Sequence, residues 1–342
     1  MTPTRTVLDS LNAALHQAMG EDLRVIILGE DILDPYGGAF RVTRGLSQAF
    51  PERVLTTPIS EAGITGLAVG MALRGLRPVV EIMFGDFTTL AADQLINHAA
   101  KFRWMYNHQV TVPMVVRTPM GGRRGYGPTH SQTLEKLFLG VPGLRVLAPS
   151  AWGEPGELLR EAILHTEEPV LFVENKLLYL QPIYDSLREI DFSLSIVSSE
   201  THSTATSAPV YRLVVRGAPP AQLSLVAYGY MAELAREAVL RLAYENEIFV
   251  ELIIPTQLSP FQIQSILPSV QRTGRVLTVE EGGLSMGWGA EILARLVEAF
   301  GSRPLRARRL AARDLPVPAS KTLEAAVLPG IEEIITAVKS MV

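Results

Sequence analysis

The chain has 342 residues, 47% of them hydrophobic and 19% charged, with a formal net charge of −4 and no cysteine. That length suits two domains rather than one core, and the charge balance leaves no basic footprint for nucleic acid. Without cysteine there are no disulfides, zinc–thiolate sites or cysteine-held iron–sulfur clusters.

Residues 1–24 form a mixed-charge amphipathic stretch without the apolar core of a secretion signal. No apolar run approaches transmembrane length, so no membrane role and a cytoplasmic location are expected. The mean hydropathy of +0.21 points to extra buried surface in an oligomer.

Short apolar runs follow at 24–29 (RVIILG), 54–58, 78–84 (PVVEIMF), 113–117, 144–149 and 169–174 (PVLFVE), each read as a strand. Between the second and third, Ile64, Leu67, Ala68, Met71 and Ala72 repeat at helical spacing, with Gly63, Gly66 and Gly70 on a neighbouring stripe. Strands apolar throughout and separated by helices predict a parallel sheet covered on both faces. Residues 198–209 are Ser/Thr-rich and 217–220 (GAPP) signal a turn, so 191–222 reads as a linker between domains at 1–190 and 223–342. The second half repeats the alternation, with strands at 223–228, 249–254 and 275–280 and helices at 233–247, 289–300 and 331–338.

Ligands of an open parallel sheet bind beyond the carboxyl ends of its strands. Glu30 follows the first strand. Glu61 follows the second and opens a helix, with Ser60 as its N-cap. Asp86 and Phe87 follow the third strand, and Asp93 lies about two helical turns beyond. His130 comes after the Gly-rich loop 121–128 and before a helical pattern at 132–139. Carboxylates gathered in a partly dry cleft repel one another, and at least one should hold its proton more tightly. An acid at a helix start is ordinarily a dipole-favoured surface residue, so position alone assigns no chemistry.

The strings ILGED, GGAFRVTRGL, TPISEAGITGLAVGMALRGLRPVVEIMF, DQLINHAAK, THSQTLEKLF, PGLRVLAPS and PVLFVEN occur in order. TVEEGGLSMGWGAEI and DLPVPASKTLE follow in the second half. Together they resemble the β subunit of the thiamine diphosphate-dependent decarboxylating component of pyruvate and branched-chain 2-oxoacid dehydrogenase complexes. The resemblance implies an α/β, transketolase-like fold of two doubly wound domains, a pyrimidine-binding domain and a transketolase C-terminal domain.

It also implies roles. Glu61, the glutamate of TPISE, would bond the pyrimidine ring nitrogen of thiamine diphosphate. Phe87 would stack on that ring, and Met83 would line the approach. His130, the histidine of HSQ, would face the 2-oxoacid substrate and serve acyl transfer to a lipoyl group. Its expected place at a helix N-terminus would favour the neutral ring. Glu30 and Asp93, with Glu61, would form an acidic proton relay between two cofactor sites.

The family's GDG motif for diphosphate and Mg2+ is not found. The nearest string, FGDF at 84–87, lacks the second glycine and the downstream ligands. The Gly-rich run 281–289 reads as a turn into a tightly packed helix. Diphosphate and Mg2+ contacts therefore fall to an α subunit in an α2β2 heterotetramer, with a lipoyl-bearing acyltransferase as a further partner. The family's potassium loop would carry an Asp and an Asn where this chain has His165, Thr166, Glu167 and Glu168, which argues against a potassium site. Acetoin cleavage or carboligation on the same scaffold, and a non-catalytic regulatory subunit, are the alternative readings.

Overall fold

The computed structural model describes residues 5–184, 190–197 and 208–342. The Ser/Thr-rich stretch lies outside these residues up to position 207.

The first half builds from α1 (Val7–Glu21), β1 (Val25–Gly29), α2 (Leu46–Ala49), β2 (Val54–Thr56), α3 (Glu61–Leu73) and β3 (Arg77–Glu81). A 3-10 turn, Gly85–Phe87, leads into α4 (Thr88–Asp93), a π-helical stretch Gln94–Ala99 and α5 (Ala100–Met105). β4 (Val115–Met120), β5 (Arg145–Leu147), α6 (Pro155–His165) and β6 (Val170–Asn175) complete it. Thr6 and Asp9 form a capping box that starts α1, whose Val7, Leu11 and Leu15 are buried in one cluster with Leu158 and Leu159 of α6.

The second half holds β7 (Phe192–Val197), β8 (Val210–Val215), β9 (Leu223–Ala227), α7 (Met231–Asn246), β10 (Val250–Pro255), β11 (Gln257–Ser259) and α8 (Leu267–Thr273). It ends with β12 (Arg275–Gly283), α9 (Trp288–Phe300), β13 (Arg306–Ala312), α10 (Lys321–Val327) and α11 (Ile331–Lys339).

The first sheet has the order β11-β5-β6-β4-β3-β1-β2 and the second β13-β12-β9-β10-β8-β7. The central strands are parallel, as their apolar burial on both faces predicts. Antiparallel strands close the edges: β11 beside β5, and β8 and β7 beyond β10. Residues 191–222, read above as a linker, thus carry two strands of the second sheet. The edge strand β7 (FSLSIV) is buried mainly at Phe192, as a strand covered on one face is, and it gives no continuous apolar run to detect.

The halves are joined by more than chain connection. β11, from the second half, extends the first sheet. Tyr228 donates its hydroxyl to the buried Glu135, and one hydrophobic cluster runs from Leu28 and Val80 to Val226, Ile253 and Trp288.

Two local expectations are corrected. In α3 the buried stripe runs through Ile64, Thr65, Ala68, Val69 and Ala72, and Leu67 is exposed. This helix is apolar on nearly every side, so spacing alone could not choose its face. The helix expected at 132–139 is only a 3-10 turn, Glu135–Leu137. Its first residue is committed elsewhere: Gly121 N–H donates to the Gln132 carbonyl, and Gln132 N–H donates to Asp86 Oδ1 at 3.3 Å. His130 therefore sits in a loop and not at a helix N-terminus.

Candidate active site

Chain order places β2 on one side of β1 and β3 on the other. That reversal opens a crevice beyond the carboxyl ends of β1 and β3. Glu30 follows β1 directly, and Glu61 begins α3 just after β2. Ser60 Oγ accepts from Gly63 N–H at 3.3 Å, so the predicted N-cap fixes where Glu61 leaves the turn.

Glu30 and Glu61 are each only 6% exposed. Desolvation pushes the Glu30 carboxyl above the ordinary range, and the charge of Glu61 adds to it, against a stabilising N–H from Ser60. Glu30 Oε1 has no hydrogen-bond partner among the described residues. The Glu61 side chain likewise makes no hydrogen bond or ion pair with a described residue.

Beyond β3, Met83, Phe84 and Phe87 are half-buried. The His130 ring meets Phe84 and Phe87 edge to face, with centroids 4.9 and 5.2 Å apart. Thr129 Oγ1 lies 3.0 Å from His130 Nδ1. Asp86 is buried and accepts from both the backbone and the side chain of Gln132, the latter at 2.8 Å, which fixes the loop two residues past His130.

The sequence-predicted residues are thus partly assembled. The charge of Glu61 acts on the Glu30 carboxyl, and the rings of Phe87 and His130 touch. The Asp93 side chain is 62% exposed, is bonded to Gln94 and Asn97 and lies 3.7 Å from His98 Nδ1. Among the described residues, no group of three or more His, Asp or Glu side chains is placed to hold a metal ion.

Sequence reasoning passed over four residues. Phe84 is the hub of the aromatic cluster, with rings of Phe40, Phe87, Tyr126 and His130 around it. Lys176 is buried beneath it. Glu281 and Glu324 reach the loop that leads to His130. Lys176 and Glu281 each stand at the carboxyl end of an apolar strand, which was the signal available.

An uncommitted carboxyl, a half-exposed aromatic ring and an imidazole suit a nitrogen heterocycle, so this edge fits the pyrimidine part of thiamine diphosphate. The Gly-rich turn at 281–289 holds its own acid instead of a ligand. Glu280 accepts from Trp288 N–H at 2.7 Å and Gly289 N–H at 2.9 Å, satisfying the start of α9. A Cβ at Gly287 or Gly289 would collide with Glu280 or Thr278, which explains the glycines.

The loop at 165–168 does not fit potassium. Arg77 Nη1 donates to the carbonyls of Ile163 and Thr166 at 2.9 and 3.0 Å, Arg77 also pairs with Glu167, and Glu168 pairs with Arg145. A fixed guanidinium charge already satisfies these carbonyls.

Residues 4–181 match the transketolase pyrimidine-binding domain family and 214–334 the transketolase C-terminal domain family. The chain is 38% identical over 338 residues to the mitochondrial pyruvate dehydrogenase E1 component subunit beta-1 of Arabidopsis thaliana, covering 98% of this chain and 88% of that one. It is 35% identical over 340 residues to the pyruvate dehydrogenase E1 component subunit beta of Rhizobium meliloti, covering 99% and 70%. A solved structure titled a split gene transketolase, inactive beta4 tetramer, shares the fold with a TM-score of 0.73 at 18% identity, covering 97% of this chain and 96% of that one. On its two domains and its full-length relatives, this chain belongs to the family of pyruvate dehydrogenase E1 β subunits, thiamine-dependent 2-oxoacid dehydrogenase subunits of transketolase-like fold.

Proposed function

We propose that this chain is the β subunit of a heteromeric 2-oxoacid dehydrogenase that decarboxylates its substrate and passes the acyl group to a lipoyl carrier. In this reading it supplies the pyrimidine side of a thiamine diphosphate site shared with an α subunit in an α2β2 tetramer. The observation that carries it is that Glu61 and the Phe87–His130 ring pair lie at the carboxyl edge of one sheet, with no described residue bonded to the Glu61 side chain.

Glu61 would hold a proton at the pyrimidine ring nitrogen, Phe87 would lie along the ring, and Met83 would line the approach. Thiamine diphosphate, when bound, supplies the electron sink that decarboxylation of a 2-oxoacid needs. His130 would face the substrate and guide acyl transfer. Glu30, crowded by Glu61, is suited to keep and pass a proton. Asp93, on the exposed face of α4, would join that relay only where a partner chain covers it. Diphosphate and Mg2+ are assigned to the α subunit and acyl acceptance to a lipoyl-bearing acyltransferase. Pyruvate is the favoured substrate from the names of the relatives, with branched-chain oxoacids second. A cytoplasmic location is part of the proposal.

The test is calorimetric titration of thiamine diphosphate with Mg2+ into this chain alone and into its complex with an α subunit. Binding is expected only in the complex. Turnover of pyruvate, branched-chain oxoacids and acetoin is then compared with and without lipoyl domain. Glu61→Ala should abolish turnover while the complex still assembles. Activity that survived this change, or product formed without any lipoyl domain, would sink the reading.

A further inference from the structure

The loop between β4 and Gln132 carries His130, and it is held at one end by the second half of the chain and at the other by Lys176, at the end of β6. At its start, Gly122 N–H donates to Glu281 Oε1 and Arg123 N–H to Glu324 Oε1, each at 2.6 Å. Both carboxylates come from the second half of the chain, on β12 and α10, and both are buried. The Arg123 guanidinium also donates to the Pro329 carbonyl at 2.6 Å. Gly121 takes φ +96° there, and a Cβ on it would come within 2.4 Å of Asn175 Nδ2.

At the far end, Lys176 Nζ donates to the backbone carbonyl of His130 itself. Lys176 is only 2% exposed. Its ammonium stands over the rings of Phe84 and Tyr126, 5.1 and 5.5 Å from their centroids. Phe84 is also the ring that His130 packs against. A buried lysine is costly unless paired, and this one gains from the carbonyl, two aromatic faces and the surrounding acids.

We propose that Lys176, with Glu281 and Glu324, forms a positioning clamp that sets the His130 loop, so that the C-terminal half of the chain takes part in the reaction without touching substrate. The clamp rests on the reading of His130 as the substrate-facing residue. It gives a task to the TVEEGG and SKTLE stretches, which hold Glu281 and Glu324.

The charge on Lys176 is poised. Burial pushes it down to about 8, opposed by Asp86, Glu281 and Glu324 and assisted by Arg124. Those four charged groups, with the Phe84 and Tyr126 rings and the His130 carbonyl, face it from the elements packed around it. A neutral amine donates more weakly than an ammonium, so the clamp should loosen as pH rises through about 8.

The test uses hydrogen–deuterium exchange of residues 121–131 in the full chain, alone and assembled with an α subunit. Protection in the wild type, corrected for intrinsic rates, should fall about tenfold between pH 7 and pH 9 while the central strands stay protected. K176M should be loose at both pH values and K176R tight at both. In the assembled enzyme, K176M should lose about tenfold in kcat with KM within about threefold, and its alkaline limb near pH 8 should vanish. Loop protection that is the same at both pH values in the wild type and unchanged in K176M overturns the clamp. Should K176M fail to fold, the wild-type pH pair decides. A wild-type complex that turns over no 2-oxoacid sinks the functional reading alone, and the exchange measurement still judges the clamp.

Discussion

Glu30 and Glu61 follow neighbouring parallel strands at the carboxyl edge of one sheet, both buried, and the charge of Glu61 acts on the Glu30 carboxyl. Strand pairing does this: Ile27 stands opposite Val54 and Gly29 opposite Thr56, so the two chain segments emerge side by side. The Glu30 carboxyl is consequently raised, first by desolvation and then by the Glu61 charge.

Glu61→Gln removes that charge and keeps the shape. The Glu30 titration should then move down, while staying above the ordinary carboxylate range because its burial is unchanged. Carboxyl-carbon NMR titration of the chain reads this directly. A Glu30 titration identical in the two proteins would show that the carboxyls do not interact.

Arg117 lies between Glu81 and Glu174 in the first core, and Tyr179 donates its hydroxyl to Glu174. Burial works against the Arg117 charge, and the two carboxylates outweigh it. Removing the cation leaves two buried acids without compensation. Arg117→Met should cost about 3–5 kcal/mol in urea denaturation, and adding Glu174→Gln should recover part of the loss. A cost below about 1 kcal/mol would refute the account.

Glu280 is raised to about 7, chiefly by desolvation, while the N–H groups of Gly289 and Trp288 pull it back. The unfolded carboxyl releases its proton near 4.5 and the folded one near 7, so its stabilising contribution is complete below the lower value and lost as pH rises through the higher. The gap corresponds to an upper bound of about 3 kcal/mol. Wild-type stability should therefore fall between pH 4.5 and 7 relative to E280Q, and paired melting curves across that window check the sign.

Arg77 supplies the positive charge at the carbonyls of Ile163 and Thr166. Exchanging sodium for potassium at constant ionic strength should leave the melting temperature of the chain unchanged. Arg77→Met should destabilise it by about 3 kcal/mol, because two buried carbonyls lose their donor. A potassium-specific rise in the wild type would show that the ion binds here after all.

The sequence by itself determined the strand–helix alternation, because strands buried on both faces must be apolar throughout and those runs stand out in VIILG and VLFVE. It also placed Glu30, Glu61 and Phe87 at one sheet edge, since a residue after a parallel strand has only that edge to occupy. It identified His130 through the ordered motifs, but not its setting. Only the tertiary structure decided that Gln132 spends its backbone bonds on Asp86 and Gly121, leaving 132–139 with a single 3-10 turn instead of a helix. It also turned part of the expected linker into β7 and β8, and it set the Asp93 side chain on the exposed face of α4. The clamp on the His130 loop was invisible for the same reason. Lys176 reaches His130 from the end of a strand 46 residues on, and Glu281 and Glu324 reach the loop only once the two halves have packed together, so no local pattern signals these bonds.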